Sequence, residues 1–161
     1  MHGILTADTR RPGSAEKKLL VQKSVLVSHS AQQMFALVDA VEAYPEFLPW
    51  CDGAKVLYRD DTRTRATIHI NYHGARQSFT TENTKEPPRA MLIRLIEGPF
   101  RVLDGEWRFT ALAESACKIE FCLHYEFSSK ILEKLVGPVF SYIANTLVDA
   151  FVHRADNVYG A

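Results

Sequence analysis

Between residues 54 and 127 the chain alternates apolar and polar side chains with a period of two. The clearest run is 116–127. There Ile119, Phe121, Leu123, Tyr125 and Phe127 fall on one face, and Lys118, Glu120, Cys122, His124 and Glu126 on the other. In 64–72, Ala66, Ile68, Ile70 and Tyr72 oppose Arg65, Thr67, His69 and Asn71. Residues 100–111 set Leu103, Gly105, Trp107, Phe109 and Ala111 against Asp104, Glu106, Arg108 and Thr110. The alternation is weaker over 75–85, around Phe79, and short strands are expected at 54–59 and 90–97. His73-Gly74, Pro87-Pro88 and Gly98-Pro99 mark the turns. One dry and one wet face over consecutive short strands predicts an antiparallel meander of six strands.

The period changes at both ends. A first strand is expected over 18–27, rich in valine. Ser28 or Ser30 can cap the next helix, and Gln33 stands at the capping-box position from Ser30. Met34, Phe35, Leu37 and Val38 then recur at helical spacing, and a second short helical turn covers 41–48. At the far end Ser128 or Ser129 caps a piece over 130–136, which Gly137-Pro138 interrupts. A main helix over 138–159 follows, about 33 Å long at 1.5 Å per residue. Phe140, Ile143, Ala144, Leu147, Phe151 and Ala155 give it a wide apolar stripe. The expected fold is α+β: a curved antiparallel sheet gripping a long C-terminal helix, with two short helices after the first strand. Residues 1–16 read as a flexible tail and 17–161 as one domain.

Such a helix-grip arrangement can leave an apolar space between sheet and helix. Gly105, amid Leu103, Trp107 and Phe109, suits a bend or a close approach. The segment Tyr44-Pro-Glu-Phe-Leu-Pro-Trp-Cys51 is aromatic-rich and pinned by two prolines, so no long helix runs through it. It is either a lid over that space or a connector that plugs its own core. The expected ligand contacts are Tyr44, Phe47, Leu48, Trp50, Ile70, Phe79, Leu103, Trp107, Phe109, Ile143, Leu147 and Phe151.

Composition narrows the chemistry. The chain has 161 residues, 47% of them hydrophobic and 24% charged, with zero formal net charge. No global field recruits nucleic acid, and DNA is not an expected partner. No apolar run reaches the ~18 residues of a membrane span, and the first residues lack the apolar core of a secretory signal. Three cysteines without CxxC spacing make a disulfide framework unexpected, which fits a reducing, cytoplasmic setting. Glu120, Cys122, His124 and Glu126 are metal-ligand types, but residues two apart on one strand diverge, so they read as a solvated polar face. Cys51 has no base assigned by the sequence, and His29, His69 and His73 read as surface histidines. No phosphate loop or nucleophile elbow occurs, so no catalytic or metal site is expected. Arg94, Arg101, Arg108, Arg154 and Lys134 are scattered. Arg59, Arg63 and Arg65 around one turn are the best local basic cluster, partly cancelled by Asp60 and Asp61.

Three segments carry a resemblance. Phe35-Ala-Leu-Val-Asp-Ala-Val-Glu-Ala-Tyr-Pro-Glu-Phe-Leu-Pro-Trp-Cys51 resembles the first signature of the coenzyme Q-binding START-like family, within the polyketide cyclase/dehydrase superfamily. Gly98-Pro-Phe-Arg-Val-Leu-Asp-Gly-Glu-Trp-Arg-Phe109 is similar to its second, with a Leu-x-Gly-x-Trp-x-Phe core. Asn145-Thr-Leu-Val-Asp-Ala-Phe-Val-His-Arg-Ala155 is similar to its terminal helix. The resemblance implies the helix-grip fold and two roles. One is non-catalytic binding of an apolar polyisoprenoid ligand such as ubiquinone, in support of respiration, with transient contact at the inner-membrane surface. The other is ribosome association as a toxin: binding the large ribosomal subunit and blocking subunit joining. A cyclase-like enzyme follows only from fold analogy.

Overall fold

The alternating segments pair, in chain order, into one antiparallel sheet. A computed structural model describes residues 19–161; the expected tail over 1–16 lies outside them. The strands are β1 (Leu19–Val27), β2 (Cys51–Arg59), β3 (Arg63–Tyr72), β4 (Ala75–Glu86), β5 (Ala90–Glu97), β6 (Phe100–Ala113) and β7 (Ala116–Phe127). Their order across the sheet is β1-β7-β6-β5-β4-β3-β2. The six-strand meander runs unbroken from β2 to β7, and β1 pairs with β7 at its end. The helices are α1 (Ala31–Asp39) and α2 (Lys130–Tyr159), with a 3-10 helix at Val41–Glu46 between α1 and β2. This is the helix-grip fold, with the curved sheet around α2.

Local chemistry accounts for the element ends. Ser30 caps α1: its hydroxyl accepts from Gln33 N at 3.0 Å, and the Gln33 side chain accepts from Ser30 N at 2.9 Å. Ser129 caps α2 through Leu132 N. The β3–β4 turn needs positive φ at two successive residues, His73 at 48° and Gly74 at 83°. Gly98 is held by packing, since a Cβ there would lie 2.7 Å from Phe79 Cβ.

The structure departs from the sequence reading in several places. β2 begins at Cys51, three residues before the expected 54. α2 is one helix of 30 residues, about 45 Å long, and runs through Gly137-Pro138 without a break. Val136 and Phe140, on either side of Pro138, are both buried against the sheet. That packing outweighs the hydrogen bond that proline removes. Gly105 carries no bulge: the irregularities of β6 against β7 lie at Phe100/Val102 and Ala111/Ala113. Gly105 is instead a close approach, with a Cβ there 3.2 Å from Leu123 Cδ1 and 3.4 Å from Ile93.

Two residues assigned to solvent are buried. His29 is 4% exposed and bonds Asp156 through Nε2 at 2.7 Å, joining the end of β1 to the end of α2. Glu126 is 6% exposed and ion-paired with Arg101, so it does not belong to a solvated face. The weak alternation of β4 also has a cause. Its inward positions after Phe79 are polar: Thr81, Asn83 and Lys85, all buried. Lys85 pairs with Asp39 of α1 at 3.3 Å.

Candidate functional site

A cavity of about 90 Å³ lies between the inner face of the sheet, α2 and the segment after α1. The meander supplies most of its wall, because every second residue of each strand faces inward. Ala66 and Ile68 come from β3, Phe79, Thr81 and Asn83 from β4, and Ile93 from β5. Leu103 and Trp107 come from β6, Phe121 and Leu123 from β7. α2 adds Phe140, Ile143, Ala144, Leu147 and Phe151, at the spacing that keeps one helix face toward the sheet. Val41, Tyr44 and Trp50 close one side.

Eight of the twelve residues expected from the sequence line this cavity: Tyr44, Trp50, Phe79, Leu103, Trp107, Ile143, Leu147 and Phe151. Four do not. Leu48 and Ile70 are core residues, 1% and 2% exposed. Phe109 stacks parallel to Trp107 at 5.9 Å and packs on Phe35, on the α1 side. Phe47 lies outside the wall and covers it, with its ring 5.2 Å from Phe151. Phe121, Leu123 and Phe140 are wall residues that the alternation of β7 and the α2 stripe had put on the inner face without marking them as contacts.

Phe151 is where lid and wall meet. Edge-to-face contacts join its ring to Tyr44 at 5.3 Å, Phe47 at 5.2 Å and Trp107 at 5.5 Å. Such pairs stabilise beyond the area they bury. The 41–50 segment is therefore both lid and core: Trp50 is 4% exposed, while Phe47 is only half-buried. Tyr44 is tied down by its hydroxyl, which donates to the carbonyl of Val38. Burial pushes its phenol far above the usual range, so it stays neutral.

The titratable groups around the site are engaged or held neutral. Cys51 donates through Sγ to the Gly53 carbonyl at 3.3 Å, and burial raises its thiol. Burial pushes Cys117 up to about 11. Both thiols therefore remain protonated at neutral pH and are poor nucleophiles. Among the described residues no three His, Cys, Asp or Glu side chains come together as a metal-binding group. His69, on the outer face, bonds Ser78 through Nδ1 at 2.6 Å.

The basic cluster is rearranged relative to the sequence reading. Arg59 leaves it: its guanidinium donates to both Glu42 oxygens, at 2.7 and 3.0 Å, and to the Asp39 carbonyl at 2.9 Å. Arg94 takes its place. Arg65, Arg94 and Arg63 converge on the single carboxylate of Glu82 at 2.8, 3.6 and 3.8 Å, on the outer face of β3, β4 and β5. Strand pairing brings Arg94 there, 29 residues on from Arg65.

Residues 27–152 match the family described as polyketide cyclase/dehydrase and lipid transport. A Vibrio cholerae protein named ribosome association toxin RatA is 44% identical over 140 residues, covering 87% of this chain and 97% of its own. The mitochondrial coenzyme Q-binding protein COQ10 homolog B of Xenopus laevis is 27% identical over 153 residues, 92% of this chain and 63% of its own. Among solved structures, the Zhui aromatase/cyclase from Streptomyces sp. R1128 superposes with a TM-score of 0.71 at 17% identity, covering 86% of this chain and 94% of its own. At that identity the likeness concerns the fold alone.

Proposed function

The chain belongs to the polyketide cyclase/dehydrase and lipid transport family, and we propose that it binds an apolar, ring-headed isoprenoid of the ubiquinone kind beneath α2, without catalysis. The observation that carries this reading is the wall itself. Aromatic and aliphatic side chains from five strands and one helix converge on one space. None of the wall side chains is a carboxylate, imidazole, thiol or amine. A site of that make-up has affinity for apolar surface and offers no group to exchange a proton near neutral pH.

Size sets a condition. A cavity of about 90 Å³ is below the ~150 Å³ that admits benzene and far below the ~300–1,000 Å³ of ordinary ligand pockets. An isoprenoid enters only if the lid at 41–50 moves outward. Its outer residues Pro45, Glu46 and Pro49 are exposed, whereas Val41, Leu48 and Trp50 are buried, so opening it uncovers core side chains that the ligand must cover in turn. In this reading the protein is cytoplasmic and meets the inner membrane transiently. α2 has the length and apolar character of a membrane span, but its stripe from Val136 to Ala155 is turned into the core. Its first turns expose Ile131 (71%) and Leu135 (67%) beside Lys130 and Lys134, a pattern suited to brief contact with an anionic lipid surface.

The test is organic extraction and mass spectrometry of protein purified without detergent, with titration of Trp50 and Trp107 fluorescence by a short-chain quinone. Saturable quenching or a co-purified quinone is expected. An empty extract together with no quenching would sink the reading.

A second reading is association with the large ribosomal subunit, which would block subunit joining. Two observations favour it: 44% identity to a protein named for that role, and three arginines sharing one carboxylate on the outer sheet face. Three guanidiniums around one carboxylate leave a local positive excess suited to RNA phosphates, partly offset by Asp60 and Asp61 on the adjoining turn. The two readings use opposite faces of the sheet and do not exclude each other.

A further inference from the structure

Apart from the Tyr44 hydroxyl, which donates to Val38, and the indole N–H groups of Trp50 and Trp107, the polar groups of the cavity wall stand at one place. Thr81 and Asn83 stand two apart on β4, so both project from its inner face. They are buried, at 6% and 7% exposure. Thr81 Oγ1 donates to Asn83 Oδ1 at 3.0 Å. That bond occupies the amide oxygen. Asn83 Nδ2 remains, with two N–H groups and no acceptor among the described residues.

The neighbouring polar groups do not serve it. Thr64, paired with Asn83 across the β3–β4 ladder, directs its hydroxyl to Asp39 at 3.5 Å. Lys85, the next inward residue of β4, also pairs with Asp39. Asn83's other strand neighbour is Ile93, an aliphatic wall residue. Asn83 Nδ2 is not sealed among protein atoms: its residue lines the cavity, so unused donors there face a space whose wall offers them no acceptor, which is unfavourable for an apolar occupant. A strand whose inward positions turn polar opposite an otherwise apolar wall is a local conflict of the kind that accompanies a site.

We infer that Thr81 and Asn83 form the headgroup end of the ligand site. Asn83 Nδ2 donates to an oxygen acceptor on the ligand ring, a carbonyl in the case of a quinone, and Thr81 holds the amide in the orientation that presents its N–H groups. This rests on the reading of the cavity as an apolar-ligand site, and it adds direction and selectivity. The ring enters first and seats against β4, and the tail leaves beneath the lid. A hydrocarbon of equal size without an oxygen acceptor leaves the Asn83 amide unpaired and is discriminated against.

Two probes separate these statements: decylbenzoquinone and decylbenzene. Their affinities are measured by equilibrium dialysis for the full chain, for Asn83→Leu and for Thr81→Val, with thermal unfolding as the folding control. Asn83→Leu is expected to weaken the quinone roughly tenfold, the loss of one buried hydrogen bond, and to leave decylbenzene unchanged or tighter. Thr81→Val is expected to weaken the quinone by a smaller factor. The infrared carbonyl band of the bound quinone is expected to shift to lower frequency in the unmodified protein and to return in Asn83→Leu. Equal quinone affinity in Asn83→Leu with an unshifted band overturns this inference and leaves the apolar-ligand reading standing. Binding of neither probe by the unmodified protein overturns both. If Asn83→Leu does not fold, the band in the unmodified protein decides alone, and an unshifted band overturns the inference.

Discussion

Arg154 of α2 holds its guanidinium 5.0 Å from the centre of the Phe47 ring. The same group donates through Nη2 to Glu46 at 2.8 Å. The two contacts, one cation–π and one ionic, clasp the lid to the helix across the mouth of the cavity. Neither is strong. A part-exposed cation–π contact contributes about 0.5–1 kcal/mol, and a surface ion pair about 0–1 kcal/mol. A latch of that strength suits a segment that must open.

Arg154→Met keeps the apolar stem and removes both contacts. It should lower stability by about 1 kcal/mol and speed quinone entry several-fold. Stopped-flow quenching of tryptophan fluorescence measures the entry rate. If that rate is unchanged while stability falls, the clasp does not govern opening.

Trp50 and Phe47 should behave differently although they are three residues apart. Trp50 is 4% exposed and part of the main core cluster, so Trp50→Ala should cost about 3–5 kcal/mol in urea denaturation of the ligand-free protein. Phe47 is half-buried, and Phe47→Ala should cost less, about 1–2 kcal/mol. Comparable losses for the two variants would mean that the lid is core along its whole length.

Glu42 ties the 3-10 helix to β2 through Arg59, and that bond holds its carboxyl below the ordinary 4.5. Folding therefore favours the ionised form. The contribution is fully present above pH 4.5 and fades as pH falls through the lower folded value. Thermal stability should drop on acidification below that point, and Glu42→Gln should flatten the drop. Glu82, lowered mainly by its bond to Arg65, acts in the same direction. Melting curves between pH 3 and 6 of the parent and Glu42→Gln check this; parallel curves would remove Glu42 from the account.

The arginines around Glu82 give the ribosome reading a specific test. If Arg63, Arg65 and Arg94 contact phosphates, neutralising all three should reduce the slope of log affinity against log salt by about 3 × 0.9. Glu82→Gln should strengthen co-sedimentation with the large subunit by freeing the guanidiniums. Indifference to both changes would exclude this face as the contact. Trp107→Ala, if folded, should leave co-sedimentation unaltered, because Trp107 is interior.

Several features are legible in the amino-acid sequence alone. The period-two pattern assigns the inward faces of β3, β6 and β7, because a strand with one buried face must alternate. Ser30 and Gln33 announce the start of α1, and His73-Gly74 announces a hairpin turn, since each needs only neighbours in the chain. Periodicity does not mark which inward residues face the gap and which fill solid core. Phe109 and Phe121 both lie inward, yet one packs toward α1 while the other lines the cavity.

By itself, then, the sequence determined the element order, the apolar stripe of the last helix and the aromatic character of the 41–50 segment, because these depend on contacts within a few residues. Tertiary structure alone decided the rest. It carried α2 through Pro138, where burial of Val136 and Phe140 outweighs one lost hydrogen bond. It drew Arg59 away to Glu42, brought Arg94 to Glu82, and turned Thr81 and Asn83 into an apolar cavity. Each of these outcomes joins separate elements, and their relative positions follow from the curvature of the whole sheet around one helix, a property that no local stretch of residues encodes.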